Sequence, residues 1–138
     1  MFKSILFSID QSREAREAAT VVLELVQTCQ AKLTLLSVVE PKAAETGVEP
    51  HSPSMTSPEK VAELLQQAEA MFSQAGVDVK VIEREGKPAF TICDVADEIE
   101  ADLIIMGSRG TGLTEEGPAD SVTNRVINLS PCPVLVVP

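Results

Sequence analysis

The sequence predicts an α/β fold, an open, Rossmann-like, doubly wound sheet of five parallel strands with helices on both faces. Three observations predict it. Short, mainly apolar runs recur at Ile5–Ile9, Leu33–Val39, Leu103–Met106 and Val134–Val137, as strands buried on both faces require. Between them, apolar residues return every three or four positions, the mark of helices with one buried stripe. The two patterns alternate as β-α-β-loop-α-β-α-β-α-β, which right-handed crossovers turn into a parallel sheet. A chain of 138 residues suits one domain over 1–138, and no internal repeat divides it.

The first strand breaks at Asp10-Gln11-Ser12. From Arg13 to about Thr28 the stripe is Ala15, Ala18, Ala19, Val22, Leu23 and Val26, with Ser12 placed as N-cap and Glu14 in the first turn. The second strand ends at Glu40-Pro41. Lys42 to Ser57 has no period and contains Gly47, Pro50 and Pro53, so a loop with little to bury is expected there. Thr56-Ser57-Pro58-Glu59 then reads as a helix start. That helix carries Val61, Leu64, Leu65, Ala68 and Phe72 to about Ala75, and Gly76 stops it. Val77–Ile82 alternates polar and apolar, so this third strand belongs toward a sheet edge. Pro88 opens a helix through Phe90, Ile92, Cys93, Val95, Ala96 and Ile99. After the fourth strand comes a glycine-rich stretch to Gly117-Pro118, a helix through Val122, Val126 and Leu129, and the last strand.

Charge narrows the function. With 21 acidic and 11 basic residues the net charge is -10, which argues against nucleic acid or anionic membrane as partner. Four Phe, no Trp and no Tyr leave no platform for base stacking. Cys29, Cys93 and Cys132 form no C-x-x-C pair and read as reduced, buried thiols. No run reaches the roughly 20 apolar residues of a membrane span, and Met1–Asp10 is unlike a secretory signal. A cytoplasmic protein is expected.

In a sheet of this kind ligands bind beyond the carboxyl ends of the strands, where strand order reverses. The loops after strands one and four stand out, Asp10-Gln11-Ser12 and Gly107-Ser108-Arg109-Gly110-Thr111-Gly112. A carboxylate suits a ribose hydroxyl or an amino group. Glycine lets backbone N–H groups approach phosphate oxygens, and Arg109 adds a fork of donors. The helix starting near Asp120-Ser121 adds N-terminal amides and the Ser121 and Thr123 hydroxyls. Each residue also has a plainer reading. Asp10 suits a turn or cap, Arg109 a solvated loop or a pair with Glu115 or Glu116, Ser121 and Thr123 helix capping, and Asp120 the start of a helix dipole. His51 has no partner in view, and Cys93 lies on an apolar stripe.

Residues Met106 to Val137, M-G-S-R-G-T-G-L-T-E-E-G-P-A-D-S-V-T-N-R-V-I-N-L-S-P-C-P-V-L-V-V, resemble the C-terminal signature of the universal stress protein family. K-S-I-L-F-S-I-D-Q-S and L-L-S-V-V resemble its other landmarks. Against the motif of its nucleotide-binding branch, G-x2-G-x9-G-[ST], Gly107 and Gly110 match, while Asp120 stands at the third glycine, before Ser121. The resemblance implies strand order 3-2-1-4-5 and an adenine nucleotide (AMP, ADP or ATP) between strands one and four. It implies that Asp10 meets the ribose or adenine side and that Val38 offers backbone to the adenine, with Ser8 and Ile9 flanking the base. Met106, Gly107, Arg109 and Gly110 would line the ribose and phosphates, and Ser121, Val122 and Thr123 would complete the phosphate end.

No nucleophile–base pair and no metal cluster emerges, so binding is favoured over turnover, with at most a weak ATPase. The leading expectation is a nucleotide-binding regulator of the stress response that acts through an unknown protein partner. A slow nucleotide hydrolase or nucleotidyl transferase, or a nucleotide-free interaction module, are the alternatives. The apolar tail P-C-P-V-L-V-V-P predicts a homodimer through the final strand. The loop from Lys42 to Ser57 is expected to be mobile and to act as a lid. Asp120, with Glu115 and Glu116, is expected to disfavour metal-free ATP relative to AMP or ADP, and Mg would reverse that order by bridging Asp120 and phosphate.

Overall fold

The computed structural model describes residues 1–47, 50, 53–108 and 122–138. Its elements are β1 (Ser4–Ser8), α1 (Arg13–Cys29), β2 (Lys32–Val39), α2 (Ala43–Thr46), α3 (Pro58–Gln74), β3 (Val79–Glu85), α4 (Pro88–Glu98), β4 (Leu103–Gly107), α5 (Val122–Leu129) and β5 (Val134–Val137). The strands form one sheet in the order β3-β2-β1-β4-β5. All four pairings are parallel. The predicted architecture and order are both present.

Side chains alternate across each central strand, and both faces are covered. Ile5, Phe7, Leu33, Leu35, Leu103 and Ile105 pack with α1 and α3, through Ala18, Val22, Val26, Val61, Leu65 and Phe72. Leu6, Leu36, Val38, Ile104 and Met106 pack on the other side with α4 and α5, through Ile92, Val95, Ala96 and Val126. This two-sided burial explains why the strands read as unbroken apolar runs. Phe7 and Phe72 meet edge to face, ring centroids 6.4 Å apart and planes at 84°, locking α3 onto the middle of the sheet. Such a pair contributes about 0.5–1.5 kcal/mol beyond its buried area.

Local signals act as written. The Ser12 hydroxyl accepts from the Ala15 amide at 3.2 Å and caps α1. Ser57 caps α3 by accepting from Lys60, with Pro58 in the first turn. Gly76, at φ +82°, closes α3 while the Val77 amide reaches back to the Phe72 carbonyl at 2.9 Å.

Four expectations need correction. The segment from Lys42 to Ser57 contains α2 and a single 3-10 turn at Pro53–Met55. Met55 is 3% exposed, and its carbonyl accepts from the Glu40 amide at 2.9 Å, so one apolar side chain anchors the return to the sheet. The third strand begins at Val79 and runs to Glu85, later than Val77–Ile82, because pairing with Leu33–Val39 of β2 fixes its span. Phe90 and Leu129 are half exposed, and Ala89 takes the buried place beside Phe90. All three cysteines are only partly buried.

Candidate functional site

Strand order reverses between β1 and β4, so their carboxyl ends frame the crevice. Phe7 is level with Ile105, and continuing that register sets Ile9 beside Gly107. The Ile9 amide still donates to the Leu36 carbonyl at 2.9 Å, and the buried Ser37 hydroxyl donates to the Ile9 carbonyl at 2.9 Å. The chain therefore leaves β1 from a fixed point. It turns at Asp10, whose Oδ1 accepts from the Ser12 amide at 2.8 Å. That bond is an Asx-turn, and together with the Ser12 cap it holds the carboxylate at the mouth of the crevice, at the start of α1.

The opposite wall is built on Gly107. A Cβ there would lie 3.0 Å from the Ala15 nitrogen and the Glu14 carbonyl carbon, and 3.1 Å from Glu14 Cβ. The first turn of α1 thus rests against the end of β4. From the other side Thr123, 1% exposed, donates its hydroxyl to the Gly107 carbonyl at 3.1 Å. One residue later the Ser108 amide donates to the Val137 carbonyl of β5 at 2.9 Å. Above both walls β2 runs on, since Ser8 is paired with Leu36 while the strand continues through Ser37, Val38 and Val39.

This carboxylate turn and bare glycine at a switch point sit in a chain matched along its whole length, residues 1–138, by the family model "Universal stress protein family". The chain belongs to the universal stress protein family. It is 63% identical to Universal stress protein Sll1654 of Synechocystis over 138 residues, 100% of this chain and 87% of that protein. Among solved structures it is similar to a universal stress protein in complex with cAMP, at TM-score 0.79 and 21% identity, over 99% of this chain and 97% of that one. It is also similar to the universal stress protein from Archaeoglobus fulgidus in complex with dAMP, at TM-score 0.73 and 20% identity, over 99% and 98%. At those identities the two structures speak for the fold.

Within this universal stress protein the predicted residues divide into two sets. Ser8, Ile9, Asp10, Val38, Met106, Gly107, Val122 and Thr123 gather at the carboxyl end of the sheet. Ile9, Val38 and Met106 turn their side chains into the two cores. Arg109, Gly110, Asp120 and Ser121 lie outside the described residues, as does His51. Sequence reasoning missed Ser37, 0% exposed, and Glu40, 5% exposed, both on the wall that β2 raises above Ile9. The available signal was polar residues inside or directly after an otherwise apolar strand.

On the α1 side, a cleft of about 160 Å³ runs from Asp10 down between α1 and α3, lined by Ala15, Ala19, Leu64, Ala68 and Phe72. Its alanines create the space. Away from the crevice, the Cys93 and Cys132 thiols are pushed above the usual thiol range, chiefly by burial, so neither is an activated nucleophile. Arg84 of β3 clasps Glu98 of α4 through two bonds, 3.2 and 2.8 Å, and the pairing raises the guanidinium and lowers the carboxyl.

Proposed function

We propose that this universal stress protein binds an adenine nucleotide in the crevice between the ends of β1 and β4, and that occupancy governs its contact with a protein partner in the stress response. The observation that carries this reading is the Asp10 turn, held one residue beyond the level of Gly107 at the point where strand order reverses. The residues fit the group. Asp10 supplies a carboxylate for ribose hydroxyls or an exocyclic amine, and Val38 offers a peptide edge beyond the last paired residue of β1. Arg109, Gly110, Ser121 and the start of α5 would receive the phosphates. The cAMP and dAMP complexes of family members support an adenosine monophosphate as the ligand class. We place the protein in the cytoplasm, as one nucleotide-binding domain over 1–138 that pairs through β5 as a homodimer. β5 stands at the sheet edge with all four residues half-buried, a strand that a symmetric partner would cover.

Isothermal titration of the purified chain with AMP, ADP and ATP, each with and without magnesium, tests the reading. Saturable binding of at least one of the three is expected; heats indistinguishable from dilution for all would leave an interaction module that keeps the fold without the ligand. Steady release of phosphate during the same titrations would make it a slow hydrolase. Asp120→Gly is expected to improve metal-free ATP binding much more than AMP binding. With the charge kept near a terminal phosphate, repulsion of about 1 kcal/mol in water at ~4 Å approaches a tenfold change in affinity. Light scattering at micromolar concentration reads the dimer, and a monomer there overturns that part.

A further inference from the structure

We infer that Gly107 is a positioning residue, whose lack of a side chain seats the first turn of α1 against the end of β4 and thereby sets the spacing of the two crevice walls. A glycine after a strand is ordinarily read as room for backbone to approach phosphate. Here the direction a side chain would take points elsewhere, at the backbone of Glu14 and Ala15, 3.0 Å away. Those neighbours are main-chain atoms of a capped helix and cannot swing aside as the tip of a side chain could. Three structures converge on this residue. The first turn of α1 lies against its α-carbon, Thr123 of α5 binds its carbonyl, and its strand neighbour is Val137 of β5. Because Ser12 ties Asp10 to Ala15 by successive hydrogen bonds, moving Ala15 moves Asp10. A methyl at 107 would therefore be felt on the Asp10 wall.

The affinity arm of this inference rests on the nucleotide reading; the exchange arm does not. In ligand-free Gly107→Ala, amide exchange at Ser12 and Ala15 should rise about tenfold, with Leu35 in the middle of β2 unchanged. Unchanged exchange at Ser12 and Ala15 overturns the inference. Should that variant not fold, Thr123→Val serves, since it keeps the shape and removes the bond to the Gly107 carbonyl. It should still raise exchange at Ser12 and Ala15 by about threefold, and no change there is equally fatal. For the affinity arm, AMP is titrated into wild type, Gly107→Ala, Asp10→Asn and the double variant. Gly107→Ala should weaken AMP about tenfold or more, and its loss should shrink by at least about threefold when Asp10 is already Asn. Additive losses would mean that Gly107 acts independently of the Asp10 wall. If wild type binds none of AMP, ADP and ATP, the nucleotide reading falls while the exchange result still decides the role of Gly107.

Discussion

The two ends of the β1–β4 pair use the same chemical group to opposite effect. At the amino end, Asp102 just before β4 accepts from the Lys3 amide at 2.8 Å and the Ser4 amide at 3.1 Å, while its own amide donates to the Ser4 carbonyl at 2.9 Å. The carboxylate stitches the two strands together. At the carboxyl end, Asp10 takes the Ser12 amide of its own loop, and the junction of the walls rests on the close fit at Gly107. A carboxylate bonded across strands closes a seam, whereas one bonded within its own loop is held in place at an opening. The difference teaches that position along a parallel sheet, more than residue type, decides whether an aspartate joins two strands or fixes a turn at an opening.

The sharpest way to break the comparison is to remove each carboxylate in turn. Asp10→Ala should weaken AMP binding about 10- to 100-fold, the loss of a charged hydrogen-bond acceptor worth about 1.5–3 kcal/mol, while the midpoint of thermal unfolding falls little. Calorimetry and thermal melts on the same preparation check both halves, and a large fall in melting point with intact affinity would reverse the roles. Asp102→Ala should do the converse. The two bonds it accepts from amides are partly solvated, so roughly 1–2 kcal/mol of stability should be lost in urea titrations, with AMP affinity unchanged.

The pH dependence sharpens the same point. Partial burial pushes the Asp102 carboxyl up, but the Lys3 and Ser4 amides and its own amide outweigh this, and it ends below the ordinary value. A carboxyl depressed by folding stabilises fully above its unfolded value, about 3.9, and that contribution disappears as pH falls through the lower folded value. The stability gap between wild type and Asp102→Asn should be constant from pH 7 to about 5 and narrow below about pH 4. A gap that widens on acidification would show that the carboxylate is not the form the fold prefers. The smallest expected effect lies in the cleft beneath Asp10. Ala68→Leu should fill part of it and stabilise the fold by about 1 kcal/mol, read as a higher melting point. A lower melting point would show that α1 and α3 cannot accept the added carbons.

Much of this fold was legible because its signals are local. Ser12, Ser57-Pro58 and Gly76 act within one helical turn of themselves, and the change of period from strand to helix marks each element. The edge character of β3 showed in its alternation, and the exposed Lys80, Glu83 and Glu85 fit it. What was not legible depends on partners far along the chain. Asp102 meets residues 99 and 98 positions away, and Met55 is buried by a return to β2 that no periodicity announces. For Phe90 the stripe was drawn one residue off, since helix periodicity fixes a face less tightly than a strand's alternation does. At the site, the loops that hold Asp10 and Gly107 do leave adjacent strands, but the close approach of α1 to Gly107 is a long-range contact that no local pattern announces.

The Arg84–Glu98 clasp bears on how many copies can join. It fastens the outer strand β3 to α4, and that strand also exposes the charged Lys80, Glu83 and Glu85 beside Val81. Charges along one border of a sheet discourage another strand from docking there, whereas the opposite border, β5, is Val134-Leu135-Val136-Val137. A sheet with one receptive border and one refusing border has an end built in. Two chains that meet border to border about a two-fold axis use up the receptive strand of each, and what remains outside on both flanks is β3. If β5 pairs as proposed, growth of such a sheet would terminate at two, with the charged border of β3 as its stop against filaments.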